Sequence, residues 1–225
     1  MSEIKNELQS IILGNEQIGN ANQLKTMQNF LRRNAEIDYR SSDKKSVKRE
    51  EEKSILSFVS SQNLFYSGEI SERVFLAEGA EQKVYRYNNF QVIKINNAIF
   101  YETWLDYFNS LLIHNYFFPS TAYKIMGFKA IENKLFAVVQ QDFIVATEPT
   151  DLNAVKQFLE FNNFKNIRKN DYYNAGLGII FEDLHDENVL SRNRVLFFID
   201  TVFYLTEVFF NRGEVRIIEN LELKR

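Results

Sequence analysis

The aromatic side chains of this sequence decide where it can fold. Of the 33 Phe, Tyr and Trp residues among 225, only Phe30 and Tyr39 precede Leu56. Aromatic residues carry the largest apolar payload per side chain, which predicts one folded domain over residues 56–225, preceded by an amino-terminal helical segment and charged linker over residues 1–55. Within that segment Leu24, Met27, Phe30 and Leu31 recur at helical spacing, the mark of a short amphipathic helix. The run RSSDKKSVKREEEK (40–53) has almost nothing to bury, and Glu50, Glu51 and Glu52 offset its Lys and Arg. It reads as a solvated linker rather than a nucleic-acid patch. Residues 51–59 fit one more helix leading into the core.

Composition narrows the chemistry. There is no cysteine and there are two histidines, His114 and His185, which excludes disulfides, thiolate zinc sites and a cysteine nucleophile and leaves oxygen ligands for any metal. A formal charge of −3 argues against broad binding to nucleic acid. No apolar stretch approaches the roughly 18 residues of a membrane span, and Met1–Gln9 lacks the order of a secretory signal. A cytoplasmic protein without a membrane contact is expected.

Beyond Leu56 the hydrophobic period changes several times. Residues 73–76, 83–87 and 90–95 are short β-rich runs separated by Glu78-Gly79-Ala80-Glu81 and by Asn88-Asn89, which predicts a three-stranded antiparallel meander. Residues 98–116 place Trp104, Phe108, Leu111 and Leu112 on one stripe, a helix that ends before Pro119. Strands are expected at 122–131 and 134–139, and a helix capped by Asp151 with Val155, Phe158 and Leu159 facing inward. Strands then follow at 177–181, 189–190, 195–199 and 202–205, with a hairpin around Asn174-Ala175-Gly176.

Four features carry chemistry. Gly79 between two strands lets backbone amides approach a phosphate, and a plain hairpin glycine is the alternative. Lys94 stands among Val92, Ile93 and Ile95. A lysine there either lies at a sheet edge or reaches an anion such as a nucleotide phosphate, held by a carboxylate of the next helix, where Glu102 and Asp106 are the candidates. Asp183-Leu-His-Asp-Glu-Asn188 directly follows an apolar strand, so one loop can present a carboxylate that accepts a hydroxyl proton and an amide oxygen that holds Mg²⁺. An acidic surface loop is its alternative. His185 reads as an orienting or substrate-facing side chain. Asp200 ends the apolar run 195–199, where an unpaired carboxylate is costly unless a metal or hydrogen-bond donors compensate.

This order of elements and residues resembles the protein-kinase superfamily. The loop 183–188 is similar to the kinase D-L-K-P-E-N and to the D-L-H-x-x-N of aminoglycoside-phosphotransferase-like kinases. More narrowly, residues 78–85, Asn97–Tyr101, His114–Pro119, 182–190 and 198–203 resemble the small kinase domain of bacterial polyvalent proteins. The resemblance implies an α+β, minimal bilobal kinase-like fold, with an antiparallel sheet plus helix in the amino lobe and an abbreviated carboxyl lobe. It implies an ATP- and Mg²⁺-dependent phosphotransferase that moves the γ-phosphate to a hydroxyl of a protein or small molecule. In that scheme Gly79, Ala80 and Glu81 cover the phosphates, Lys94 contacts the α/β-phosphates with Glu102 as its partner, and Asp183 is the catalytic base. Asn188 and Asp200 hold the metal, and Gln140, Gln141 and Phe143 form the hinge over adenine. The sequence departs from the kinase pattern in its single loop glycine, in Phe181 where many kinases have a histidine, in Thr201-Val202 after Asp200, and in the absence of an A-P-E segment. Only 25 residues follow Asp200, too few for the usual peptide-binding helices. The competing reading is a catalytically silent nucleotide-binding or interaction module of a mobile-element protein; docking of a protein partner by residues 1–55 is compatible with either reading.

Overall fold

The computed structural model describes residues 2–14, 22–38, 44–71, 74–79, 81–132 and 134–211. Three helices open the chain: α1 (Ser2–Leu13), α2 (Gln23–Asp38) and α3 (Lys44–Ser61). The meander follows as β1 (Phe75–Glu78), β2 (Gln82–Arg86) and β3 (Gln91–Asn96), then helix α4 (Trp104–Phe117), β4 (Lys124–Ile131) and β5 (Lys134–Asp142). The five strands form one antiparallel sheet in the order β1-β2-β3-β5-β4. With α4 they make the amino lobe.

The second half holds α5 (Leu152–Phe161), β6 (Lys165–Arg168), β7 (Asp171–Asn174), β8 (Ile179–Glu182), β9 (Val189–Arg192), β10 (Val195–Phe198), β11 (Val202–Leu205) and α6 (Glu207–Phe210). A four-stranded sheet runs β11-β8-β7-β6, and β9 and β10 form a separate hairpin. The fold is α+β, and every ladder between its named strands is antiparallel, as the resemblance implies, with one isolated parallel bridge between Phe65 and Phe128. The expected hairpin at 174–176 is the β7–β8 turn, whereas β6 and its Lys169-Asn170 turn carry no sequence signal of their own. Gly178 has φ +72°, and a β-carbon there would meet the Phe209 backbone nitrogen at 2.3 Å. Glycine therefore lets α6 close onto this turn.

Helix α4 is the central pillar. Thr103 caps it reciprocally: its Oγ1 accepts from the Asp106 amide at 3.0 Å and donates to Asp106 Oδ2 at 2.6 Å. The helix starts with the first residue of its apolar stripe, six residues later than the expected start at residue 98, because Asn96 and Asn97 fold the preceding residues into a turn, their side chains accepting from the Ala98 and Ile99 amides. It ends where the Phe118 amide bonds His114 O and Pro119 opens a 3₁₀ turn over Pro119–Thr121.

The run read as a solvated linker is helical from Lys44 onward. Lys, Arg and Glu are good helix formers, and here the charges find partners on the next elements. Glu51 accepts from the Trp104 amide at 2.6 Å, Glu52 from Trp104 Nε1 at 3.3 Å, and Lys48 donates to Ala98 O and Tyr101 O. Burial pushes the Glu51 carboxyl up to about 7, against the lowering effect of the Trp104 amide.

The change in aromatic content at Leu56 is not a boundary in packing. Leu8, Ile12, Leu24, Met27 and Leu31 are buried in the same cluster as Trp104, Phe108 and Phe128. The stripe 24–27–31 thus lies inside the chain's own core. Gln28 Nε2 reinforces it by donating to Ile12 O and to Asn109 Oδ1 on α4, and α1 reaches the other lobe through Lys5 to Val208 O and Gln9 to Phe209 O.

Candidate active site

The loop between β1 and β2 contributes Glu81, which lines a small recess together with Gln82, Asn96, Tyr123 and Asp200. The Gly79 amide bonds Gln82 O at 2.9 Å, and a β-carbon at Gly79 would meet no atom within 4 Å, so there is open space in front of it. Ala80 lies outside the described residues. Glu81 is half-buried and accepts from Asn96 Nδ2 at 2.5 Å. Burial raises its carboxyl to about 7, the Asn96 bond opposes that, and Asp200 adds to it. Gln82 donates its side-chain amide to Asp200 Oδ2.

Lys94 is not at a sheet edge: β3 lies between β2 and β5, and the lysine is 3% exposed. Its Nζ donates to Ile199 O at 2.6 Å and Tyr123 Oη at 3.4 Å. Burial lowers its pKa, and Asp200 and Glu81 oppose that shift. Glu102 is elsewhere, outside the first turn of α4 and paired with Lys44, both half exposed. Asp106 is spent on the cap of α4. Neither helix carboxylate hydrogen-bonds Lys94, because α4 begins beyond Glu102 and its inward polar positions are Asn109, Ser110 and His114.

Below the sheet, the loop after β8 is assembled by one amide. Asn188 Nδ2 donates to Asp183 O at 2.8 Å and Asp183 Oδ2 at 3.0 Å, and lies 3.0 Å from His185 Nε2. The Ile199 and Asp200 amides both donate to Asn188 O, at 2.9 and 3.3 Å. Asp183 itself sits at φ +65°, in the left-handed region that Asp tolerates better than most residues, with its amide held by Asp171 Oδ1. The structure therefore brings Lys94, Asp183, Asn188 and Asp200 to one place. Burial raises the Asp200 carboxyl, the Lys94 charge being the first influence that opposes it.

The residues expected to form the hinge have protein partners. Gln140 donates to Gln91 Oε1, Gln141 to Thr121 O, and the Phe143 amide to Phe90 O at 2.7 Å. The Arg86 guanidinium lies 3.6 Å from the centre of the Phe143 ring. Beyond them, the following loop is fastened to the β9–β10 hairpin, with Glu148 accepting from Ser191 Oγ and the Arg194 amide.

Three contributors have no signal in local sequence. Tyr123 hydrogen-bonds Ile199 O at 2.9 Å. Gln82 reaches Asp200. His114 joins α4 to Thr201, its Nδ1 2.8 Å from Thr201 Oγ1 and its Nε2 2.8 Å from Thr121 O. A carbonyl only accepts, so Nε2 carries the proton and Thr201 donates to Nδ1. Burial holds this imidazole neutral, its pKa lowered to about 3.

Among the described residues no three His, Asp or Glu side chains are grouped to hold a metal unaided. A carboxylate (Asp200) and an amide (Asn188) of hard oxygen character are nevertheless the kind of sparse protein set that Mg²⁺ accepts, since it takes most of its ligands from phosphate and water. These residues fit that ion.

The family model for the serine/threonine/tyrosine kinase found in polyvalent proteins matches residues 48–207, from within α3 to the first residue of α6. The chain belongs to that family. The match takes in every residue of the site and gives this kinase-like fold a kinase-like function in general terms. No curated protein and no solved structure matches the chain. No described helix is long and apolar enough to cross a membrane.

Proposed function

We propose that this kinase transfers the γ-phosphate of Mg·ATP to a hydroxyl group of a protein or small molecule. The observation that carries the reading is the junction at Asn188, whose side chain holds Asp183 and whose carbonyl holds the Asp200 strand end, opposite a buried Lys94. Asp200 and Asn188 would hold Mg²⁺, which when bound neutralises charge on the phosphates. Lys94 supplies a fixed cation for phosphate oxygens. The loop at Gly79 closes over them with backbone amides. Asp183 accepts the proton of the attacking hydroxyl and orients its oxygen toward phosphorus, while the γ-phosphoryl group leaves ADP.

Transfer from labelled ATP to a mixed protein extract and to the kinase itself tests this, with Asp183→Asn as the decisive variant. A base that acts on the acceptor hydroxyl contributes to the transition state and little to nucleotide binding. Asp183→Asn is expected to keep ATP affinity and lose about 10²–10⁴ in rate. Undiminished transfer in that variant would refute the assignment of Asp183. ATP binding without any transfer by the wild type would instead favour the silent nucleotide-binding alternative.

A further inference from the structure

Lys94 occupies the place of the phosphate-contacting kinase lysine, and no α4 carboxylate bonds it. The register of the sheet shows what replaces that carboxylate. In β3, Lys94 and Asn96 are two residues apart and project to the same face, whereas Ile93 and Ile95 project to the other, where they pack with Tyr85 and Val138. The Asn96 amide holds Glu81 Oε1 at 2.5 Å, and the Asn97 amide bonds Glu81 O at 3.2 Å. Two bonds from the end of β3 therefore draw the carboxylate of the β1–β2 loop onto the Lys94 face. Glu81, Asn96, Tyr123 and Asp200 line one small recess there.

From this placement we infer that Glu81 is the positioning carboxylate of Lys94. The phosphate-covering loop, rather than helix α4, then keeps the lysine in register. This rests on the phosphotransfer reading for its consequence, which is that a residue beside the phosphate-covering loop also orients the lysine. The charged groups that act on Glu81 are, in decreasing order, Asp200 from the segment after β10, Lys48 from α3 and Lys94 from β3. Lys48 is held by Ala98 O and Tyr101 O and stays with α3. Neutralising Glu81 therefore removes the loop's charge from Lys94 without removing the Asn96 bond, which a Gln side chain also accepts.

A double-mutant cycle tests this without relying on activity. Wild type, Glu81→Gln, Lys94→Met and the double variant are unfolded in urea without nucleotide, beside the same cycle built on Glu102→Gln. The Glu81 cycle is expected to be non-additive, the double variant losing less of the urea midpoint than the two single losses together, and the Glu102 cycle additive. Should Glu81→Gln fail to fold, Glu81→Ala replaces it in the same cycle. An additive Glu81 cycle, or coupling in the Glu102 cycle, overturns the inference. Titration with a fluorescent ATP analogue and Mg²⁺ gives the second readout. Glu81→Gln is expected to weaken binding by about tenfold, roughly the scale of one charged contact, and to change nothing in the Lys94→Met background. An equal loss in both backgrounds would mean that Glu81 acts on the nucleotide directly and would also overturn it. A wild type that binds no nucleotide refutes the phosphotransfer reading, while the urea cycle still decides the Glu81–Lys94 pairing.

Discussion

Thr201 donates its hydroxyl to His114 Nδ1 at 2.8 Å, so the residue after Asp200 is fastened directly to helix α4. The same imidazole donates to Thr121 O, and Thr121 Oγ1 donates to Phe198 O at 2.7 Å. One buried neutral histidine thus connects the helix of the amino lobe, the turn before β4 and the segment between β10 and β11 that carries Asp200.

Acid should break this connection. With a folded pKa lowered to about 3 and an unfolded value near 6.5, the unfolded chain binds the extra proton between those values. The contribution of neutral His114 is complete above about pH 6.5 and is lost as pH falls toward 3, by up to ~1.4 kcal/mol per pH unit. Urea unfolding from pH 7 to pH 4 should show this slope, and His114→Gln should flatten it while lowering stability at pH 7. An unchanged slope would contradict the assignment.

Glu51 should act with the opposite sign. Its carboxyl is raised to about 7 from about 4.5 unfolded, so the folded chain binds more protons in that window and stability falls as pH rises through it. Glu51→Gln keeps an acceptor for the Trp104 amide and removes the ionisation. Its stability relative to wild type should increase between pH 5 and pH 8, measured by the shift in urea midpoint.

Cutting into α2 should cost as much as cutting into a core helix. Met27 and Leu31 are each 1% exposed, and truncation of either to Ala is expected to destabilise the protein by about 2–5 kcal/mol. Thermal unfolding checks this. A loss within ~0.5 kcal/mol, the range of ordinary surface changes, would mean that the amino-terminal helices are not part of the cooperative unit.

The Gln82 amide occupies Oδ2, one of the two oxygens with which Asp200 would hold a divalent cation. Gln82→Ala should therefore lower the Mg²⁺ concentration needed for half-maximal thermal stabilisation by ATP. An increase would show that Gln82 supports the metal site instead of competing with it.

Much of the site is legible along the chain because its parts are local. Asp183 and Asn188 are five residues apart in a loop closed by a single amide, and Asp200 follows a strand paired with β9, so short-range geometry brings the three together. The strand meander and the apolar stripe of α4 follow from period and turn residues in the same way. The charged run 40–53 misleads because a helix whose polar groups bond another element looks, in sequence, like one that bonds only water. Its partners, the Trp104 amide and the carbonyls of Ala98 and Tyr101, lie some fifty residues away.

Sequence alone determined which residue types could meet a phosphate and a divalent cation, and their order. It could not determine which carboxylate faces Lys94. Glu81 and Glu102 are both near it in sequence, and the choice turns on where α4 begins and on which face of β3 Asn96 presents its amide. Those are properties of packed elements: Thr103 and Glu51 fix the first turn of α4 beyond Glu102, and the Asn96 amide at the end of β3 holds Glu81 on the face that Lys94 shares. A side chain's partner across a sheet is decided by register and burial, which act through space and leave no trace in the spacing of letters.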